Sequence, residues 1–316
     1  MKMERYTELI ESRIADWCGT LPDSGLYAPM AYLMRLPAKR VRPALVLMGC
    51  ELFGGEAEHA VSEAIGIELF HNFTLMHDDI MDAAMLRRGE PTVHAKWSVN
   101  TAILSGDAML VMAYRAMGSD ARVLDTFSRY ALEVCQGQQL DMDFEQRTDV
   151  SLVEYREMIR QKTAVLLACA LRIGSLKAGA STAQQDLIGA FGEYLGLAFQ
   201  LRDDLLDAFG DPALTGKVQG GDLRNGKKTW LLIRGLEVED DQGGRLLRDQ
   251  LSLLPAQRDV LAMVTALRGS GVEDEAEAEV LRLEQEAERC LQAIDPTGVK
   301  VQDLRALMEV LRSRKA

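Results

Sequence analysis

The stretch from Ile67 to Asp82, IELFHNFTLMHDDIMD, carries three aspartates at the end of an apolar run. A second cluster of the same shape, Asp203-Asp204-Leu205-Leu206-Asp207, closes the apolar stretch that starts at Leu195. Positions i, i+1 and i+4 lie on one side of a helix, so each cluster is predicted to present three carboxylates as one patch. Such a patch repels itself without a cation, which predicts divalent ions shared with substrate phosphates.

One such pattern alone would be weak evidence, because the chain has 48 Asp and Glu residues and paired aspartates often lie on solvated helix faces. Two features favour a metal site over that alternative. The flanking residues are too apolar for a surface helix, and burying unpaired carboxylates is costly. The duplication also makes a chance occurrence less probable.

The composition predicts an all-α protein. The chain has 316 residues, 47% of them hydrophobic, and only 8 prolines, and its apolar residues recur at three- and four-residue spacing. Turn signals separate segments of a length that suits a single-domain bundle of long helices around a central cavity, spanning residues 1–316. The charged stretch from about residue 235 is predicted to form peripheral packing helices.

The charge and the cysteines narrow the class of protein further. A formal net charge of −12 argues against nucleic-acid binding through a general positive field. The five cysteines are odd in number and lack metal-ligand spacing, which predicts reduced thiols in a cytoplasmic protein. The charged N-terminus does not fit a signal peptide, and no apolar run reaches the ~20 residues of a membrane span.

Basic residues cluster where an acidic protein would need them to bind diphosphate. Lys39-Arg40-Val41-Arg42-Pro43 ends a loop and opens an apolar helix, and Pro43 suits the first helical turn. Arg87 and Arg88 follow the first aspartate cluster within reach of a metal-bound phosphate. These positions predict anion binding.

Two further sites carry lysines. Lys162 and Thr163 lie in an apolar helix, where they need a buried anionic partner unless the lysine reaches water. The loop from Thr215 to Thr229 contains Lys217 and Lys227 among glycines and is predicted to close over phosphate. It is not a P-loop, because the spacing GxxxxGK[ST] after a strand is absent.

Helical phase adds two polar residues to the aspartate faces. His71 lies seven positions before Asp78, and Gln200 lies three before Asp203. A buried neutral histidine is usually only a hydrogen-bonded core residue. The shared face favours a substrate contact for His71.

Together these residues resemble the trans-isoprenyl diphosphate synthases. The resemblance covers about Lys39 to Lys228 and rests on Lys39 to Pro43, the stretch from Glu68 to Asp82, Arg87-Arg88-Gly89, Gly137-Gln138, Phe199 to Asp207 and Thr215-Gly216-Lys217. It implies an isoprenoid synthase fold, usually a homodimer, that joins isopentenyl diphosphate to an allylic diphosphate. Terpene cyclases fit less well, because they do not need cations for a second diphosphate, and head-to-head synthases fit less well, because they lack these basic positions.

The resemblance also implies a role for each matching residue. Three Mg²⁺ ions on the allylic diphosphate would be held by Asp78, Asp79, Asp82, Asp203, Asp204 and Asp207. The same diphosphate would be gripped by Arg87, Lys162, Lys217 and Lys227. The isopentenyl diphosphate would be held by Lys39, Arg42, His71 and Arg88, with Arg40 as a further candidate. Thr163 and Gln200 would stabilise the allylic cation.

Product length depends on the residues just before the first cluster. In the family the fifth residue before the first aspartate forms the floor of the elongation pocket, and here it is Phe73 with Thr74 beside it. An aromatic floor without an insertion in the motif resembles short-chain geranylgeranyl diphosphate synthases. The alternatives are a farnesyl diphosphate synthase and a non-catalytic subunit of a heteromeric synthase.

Overall fold

A computed structural model describes residues 2–211, 219–238, 243–295 and 297–312. These residues are mainly helical, which confirms the predicted all-α class. The helices are α1 Lys2–Thr20, α2 Ala28–Arg35, α3 Val41–Leu52, α4 Val61–Met81, α5 Val93–Lys96, α6 Val99–Ala116, α7 Ala121–Glu145, α8 Leu152–Ile159, α9 Val165–Lys177, α10 Thr182–Phe209, α11 Gly221–Asn225, α12 Trp230–Glu237, α13 Gly243–Leu251, α14 Val260–Gly269, α15 Val272–Ile294 and α16 Gln302–Arg312.

The remaining regular structure is short. One antiparallel hairpin pairs β1 Leu86–Arg87 with β2 Glu90–Pro91. Residues Ala57–Ala60 and Pro255–Gln257 form 3₁₀ turns, and Arg160–Ala164 form a π-helical turn between α8 and α9. Among the described helices, none combines the length and the apolar character needed to cross a bilayer.

The chain divides into two compact units. The first unit contains residues 1–129 and 169–188, and the second contains residues 130–168 and 189–316. The boundaries fall inside α7, α9 and α10, so each of these helices supplies residues to both units. The first aspartate cluster belongs to the first unit and the second cluster to the second unit.

In the first unit, α4 packs against α3 and α6. Gly66 permits the close approach to α6, because an added Cβ there would lie 2.6 Å from the Met117 Cε and 3.1 Å from the Ala113 carbonyl oxygen. Helix α3 begins at Val41 with Pro43 in its first turn, as the sequence predicts. Its apolar run is fully buried, which fixes the start of the helix against the core.

In the second unit, residues of α7, α8, α10 and α11 to α15 share one apolar core. Met263, Leu267, Val272 and Ala276, which come after residue 235, are completely buried in it. Burying large apolar side chains is the main favourable contribution to folding. These helices therefore complete the core of the second unit, whereas the sequence predicted that they would only cover it.

Candidate active site

The first aspartate cluster lies at the C-terminal end of α4, and its members have different surroundings. The Asp79 side chain is only 2% exposed and is gripped by Arg87, whose Nη2 lies 2.6 Å and whose Nε lies 2.8 Å from Asp79 Oδ1. Asp78 is partly exposed, with its Oδ2 3.8 Å from Arg87 Nη2, and Asp82 is exposed at the helix C-cap. Burial raises the pKa of Asp79, and the hydrogen bond from Arg87 lowers it.

A tight turn of the hairpin presents Arg87 to this cluster. Arg88 and Gly89 connect the two strands with φ of 55° and 82°. Positive φ at both central residues is typical of the type I′ turn, whose twist matches that of a hairpin. The hairpin therefore holds Arg87 next to α4.

Arg42 and His71, predicted to bind the same substrate, are in contact. Arg42 Nη1 lies 3.1 Å from His71 Nε2. The pKa of Arg42 is lowered to about 10, mainly by burial. The charge of Glu68 opposes this shift, and the charge of Arg88 adds to it. Burial, followed by the charges of Arg42 and Arg88, keeps the pKa of His71 well below its ordinary value. His71 is therefore neutral, and its Nε2 accepts the hydrogen bond from Arg42.

Arg40, predicted as a further contact of the isopentenyl diphosphate, is buried and paired inside the protein. Its side chain is 1% exposed, with Nη1 2.6 Å from Glu68 Oε1 and Nε 2.7 Å from Glu11 Oε1. Its Nη2 donates to the carbonyl oxygen of Met34 at 2.5 Å. A buried guanidinium must be paired to be tolerated, and these partners take up its donors. Arg40 is a structural residue, whereas the neighbouring Lys39 is exposed.

The second cluster occupies the last two turns of α10, and its members again differ. Asp204 is buried and accepts hydrogen bonds from Tyr155 Oη at 2.5 Å and Gln200 Nε2 at 3.1 Å. Asp207 Oδ2 accepts from the Asp222 amide at 3.0 Å, at the start of α11. Within the described ranges, Asp203 is partly exposed and makes no hydrogen bond or ion pair.

The electrostatic state of Asp204 follows from its burial. Burial raises the pKa of Asp204 to about 7, opposed by the hydrogen bond from Tyr155. The charge of Lys227 also lowers this pKa, which shows that Lys227 lies near the cluster. Lys217, with Thr215 and Gly216, lies outside the described residues.

Neither cluster forms the predicted patch of three carboxylates. Consecutive residues on a helix point about 100° apart, so the second aspartate of each cluster turns toward protein donors. Across the described parts of the chain, no group of three or more His, Cys, Asp or Glu side chains is arranged to hold a metal ion. Asp82 is exposed, and Asp78 and Asp203 are partly exposed.

Lys162 and Thr163 lie in the π-helical turn of the second unit. Lys162 Nζ is 2.6 Å from Asp141 Oδ2, which supplies the anionic partner that the sequence required. Thr163 Oγ1 donates to Gln200 Oε1 at 3.2 Å. Two glycines make room for this turn, because an added Cβ would lie 2.2 Å from the Lys162 nitrogen at Gly137 and 2.4 Å from the Ala164 Cα at Gly196.

The predicted product-length residues lie one to two turns before Asp78 on α4. The Phe73 ring centroid is 5.6 Å from that of Phe70 and 4.8 Å from that of His77. Thr74 Oγ1 donates to the His71 carbonyl oxygen at 2.7 Å. Both side chains are partly buried, and their role in product length stays a prediction.

Three residues that organise the site had no role in the sequence-based prediction. They are Glu68, which pairs with Arg40, Asp141, which pairs with Lys162, and Tyr155, which binds Asp204. Glu68 carried a usable signal, since an acidic residue inside an apolar helix requires a buried cation. Asp141 and Tyr155 carried none, because they approach their partners from other helices.

Comparison with known proteins gives a consistent result. The family model described as polyprenyl synthetase matches residues 23–267. The chain is 42% identical over 219 residues to a geranylgeranyl diphosphate synthase of Methanosarcina mazei, covering 67% of this chain and 68% of that protein. A crystal structure of a geranylgeranyl pyrophosphate synthase superposes with a TM-score of 0.93 at 40% identity, covering 99% of both chains.

A second solved structure was determined with ligands. It is a geranylgeranyl pyrophosphate synthase from Corynebacterium glutamicum complexed with isoprenyl diphosphate and magnesium. It has a TM-score of 0.87 to this chain at 29% identity, and the match covers 99% of this chain and 100% of that one.

Proposed function

The chain belongs to the polyprenyl synthetase family and is a trans-prenyltransferase, and we propose that it condenses isopentenyl diphosphate with allylic diphosphates to give geranylgeranyl diphosphate. One observation of the site carries this proposal. In the first unit the exposed or partly exposed carboxylates of Asp78 and Asp82 accompany a separate basic pair, Arg42 and His71, and in the second unit Asp203 is partly exposed. The two groups suit two diphosphates, one bound through metal ions and one bound directly.

The carboxylates of the two clusters fit Mg²⁺. This ion prefers oxygen ligands and is commonly bound by one or two carboxylates together with substrate phosphates. We propose Asp78, Asp82, Asp203 and Asp207 as the principal ligands, with three ions per site as the family resemblance implies. When bound, Mg²⁺ draws electron density from the leaving diphosphate.

The chain supplies further cations for the allylic diphosphate. We assign this role to Arg87, Lys162, Lys227 and, outside the described residues, Lys217. Arg87 and Lys162 are held in place by Asp79 and Asp141. Each therefore has a fixed position from which its charge can stabilise the leaving diphosphate as the C–O bond breaks.

We assign the isopentenyl diphosphate to Lys39, Arg42, His71 and Arg88. Neutral His71 accepts a hydrogen bond from Arg42, which leaves the other donors of that guanidinium to face a phosphate. Arg88 is exposed at the tip of the hairpin turn. A site with excess positive charge and one buried carboxylate, Glu68, favours a dianionic ligand.

The condensation step needs a polar group near the allylic cation. We assign this role to Thr163 and Gln200, which are hydrogen-bonded to each other in the second unit. The terminal alkene of isopentenyl diphosphate attacks the cation, and the departing diphosphate accepts the proton that is finally lost. No histidine base is needed for this sequence of steps.

Product length is assigned to Phe73 and Thr74. Phe73 is packed between Phe70 and His77, so its ring is held in one position. A fixed aromatic ring is suited to block a growing chain. This supports a twenty-carbon product in place of a longer one.

We further propose that the two units act as one polyprenyl synthase domain and that two copies form a homodimer. The family match runs through residues of both units. Helix α6 exposes Ile103, Leu104 and Val111, with Leu104 61% exposed. Such an apolar stripe is suited to a second copy of the chain. Light scattering after gel filtration should give the mass of a dimer. The L104E variant should give a lower mass, closer to that of one chain.

A cytoplasmic location is the last part of the proposal. All five cysteines are free thiols, and Cys18, Cys50 and Cys169 are buried. Thiols without disulfides are the usual state in a reducing compartment. Cell fractionation would test it.

The direct test is incubation of the pure protein with Mg²⁺, labelled isopentenyl diphosphate and separate allylic primers of five, ten and fifteen carbons. Chromatography of the dephosphorylated products should show geranylgeraniol from each primer that is accepted. A product that stops at farnesol would identify a farnesyl diphosphate synthase. No product from any primer would contradict the proposal.

A further inference from the structure

Four side chains of the second unit form one continuous chain of hydrogen bonds. Tyr155 Oη donates to Asp204 Oδ2 at 2.5 Å, and Gln200 Nε2 donates to Asp204 Oδ1 at 3.1 Å. Thr163 Oγ1 then donates to Gln200 Oε1 at 3.2 Å. Both carboxylate oxygens of Asp204 thus accept hydrogen bonds from the protein. The chain of hydrogen bonds runs from Tyr155 through Asp204 and Gln200 to Thr163.

The carboxylate of Asp204 decides which way the Gln200 amide faces. The NH₂ of Gln200 faces this carboxylate, because Gln200 Nε2 donates to Asp204 Oδ1 while Gln200 Oε1 accepts from Thr163 Oγ1. The amide oxygen is then on the opposite side, toward Thr163. If the amide were reversed, its oxygen would meet the oxygen of Asp204, and the two acceptors would repel each other.

The two faces of an amide have opposite effects on a nearby carbocation. The oxygen is the negative end of the dipole and stabilises positive charge, whereas the NH₂ is the positive end and destabilises it. A preorganised dipole is most effective because it need not reorient during the reaction. The orientation of Gln200 is therefore a property that can change the rate of ionisation without changing the affinity for diphosphate.

We propose that Asp204, locked by Tyr155, is a positioning residue that keeps the oxygen of Gln200 turned toward the allylic cation. The proposal rests on the proposed prenyl transfer, and it gives Asp204 a role different from the metal ligation that the sequence motif implies. Tyr155 is 2% exposed, and the phenol ring is packed in the apolar core of the second unit. Its hydroxyl therefore has a fixed position from which it can hold one carboxylate oxygen of Asp204.

The first test removes the lock with Y155F, which deletes one hydroxyl group. We expect kcat to fall about 10- to 100-fold, the size of effect that a small misplacement in a site can produce. The KM values for both diphosphates and the Mg²⁺ concentration for half-maximal rate should stay within about twofold of wild type, because Y155F leaves the proposed metal ligands unchanged. Y194F is the matched control, since it removes a hydroxyl from a partly buried tyrosine of the same unit, and it should keep full kcat.

A double mutant tests whether Tyr155 acts through Gln200. If it does, Y155F in a Q200M background should lower kcat by less than twofold, because there is no amide left to orient. Independent effects would instead multiply. A full 10- to 100-fold loss in the Q200M background would overturn the proposed route.

D204N separates positioning from metal binding. Asparagine has the size of aspartate and can still contact Tyr155, but it can meet Gln200 with either its oxygen or its NH₂. We expect kcat to fall while the half-maximal Mg²⁺ concentration stays the same. A rise of that concentration by about tenfold or more, with kcat restored at saturating Mg²⁺, would show that Asp204 is a metal ligand and would overturn the proposal.

The outcomes also separate this inference from the proposed function. A wild-type protein that makes no prenyl product would contradict the proposed function itself. An active wild type together with full kcat in Y155F would overturn only the positioning role. Circular dichroism and urea unfolding of Y155F, D204N and Q200M establish that each kinetic comparison is made between folded proteins.

Discussion

The two aspartate clusters share one sequence pattern, but the structure holds the second aspartate of each in a different way. Asp79 is paired with the charged guanidinium of Arg87, whereas Asp204 accepts hydrogen bonds from the neutral groups of Tyr155 and Gln200. A nearby cation offsets a buried negative charge more completely than neutral donors do. Burial accordingly raises the pKa of Asp204 to about 7, while at Asp79 Arg87 opposes the rise.

This difference shows that a motif sets the spacing of carboxylates and that their partners set what each carboxylate does. In both clusters the first aspartate is more open than the second. The second aspartate anchors a cation in one unit and a neutral amide in the other. Both clusters also lie near the C-terminal end of a helix, where the helix dipole disfavours negative charge and increases the need for a bound cation.

The largest effect on the rate is expected from changing the first aspartate of each cluster, Asp78 and Asp203. D78N and D203N should each lower kcat by at least about 1,000-fold, or ~4 kcal/mol of barrier, because each removes a proposed ligand of the metal-bound diphosphate. The unfolding free energy should change little, since both side chains are partly exposed. Steady-state kinetics and urea unfolding measure the two quantities.

The matched control for this pair is D125N, which removes an exposed aspartate of α7 outside both clusters. It should keep wild-type kcat. Full activity in D78N or in D203N would remove that cluster from the mechanism.

The second prediction concerns the charged partner of Asp79. R87Q leaves the buried carboxylate of Asp79 without its cation and should lower the unfolding free energy by about 3 kcal/mol. The double variant R87Q/D79N should recover most of this loss, because no buried charge is left unpaired. R122Q, which breaks the exposed pair with Asp120, should cost less than about 1 kcal/mol in the same denaturation experiment. If R87Q and R122Q have the same unfolding free energy, the buried pair of Arg87 and Asp79 contributes no more to stability than the exposed pair.

Much of the fold and part of the site could be predicted from the sequence. Apolar spacing and the few prolines predicted the all-α class, and the position of Pro43 predicted the start of α3. Helical phase placed His71 and Gln200 near functional neighbours. These predictions depend only on the spacing of residues that are close in sequence, and this spacing can be read without knowing the fold.

The sequence does not show partners that come from distant parts of the chain. Arg40 stands beside Lys39 and Arg42, which predicts a substrate contact, but the partners that it has in the structure, Glu11 and Glu68, lie 29 and 28 residues away. The π-helical turn at Lys162 also has no sequence signature, since it depends on close packing at Gly137 and Gly196. The aspartate pattern also does not show that Asp79 and Asp204 bind protein donors, because those donors belong to other elements of the structure.

The third prediction tests the charged surroundings of the first unit through pH. His71 has a folded-state pKa below its unfolded value of 6.5, so below pH 6.5 the unfolded chain takes up a proton that the folded protein refuses. The contribution of His71 to the unfolding free energy is therefore fully present above pH 6.5. Below pH 6.5 this contribution falls by up to ~1.4 kcal/mol per pH unit. H71Q should be less sensitive than wild type in urea unfolding at pH 7.5 and 5.5. H59Q, at an exposed histidine, should behave like wild type.

The smallest change in rate is expected at the product-length position, which also distinguishes the two clusters. Five residues before Asp78 stands Phe73, whereas five residues before Asp203 stands the small buried Ala198. Only the first cluster therefore has a large ring at this position. F73A should lengthen the product by at least one five-carbon unit with a change in kcat below about tenfold, because Phe73 touches no proposed metal ligand or diphosphate-binding side chain among its ring contacts.

Chromatography of the products measures this effect, and F53A, at an aromatic residue at the end of α3 in the same unit, should leave product length unchanged. If F73A gives the wild-type product, the limit on chain length is set elsewhere. Phe70 would then be the next residue to test, since its ring is fully buried against both Phe73 and Phe127 and would still close the pocket after Phe73 is removed. A longer product from F70A/F73A than from F73A would show that the two rings act as successive floors on the helix of the first cluster.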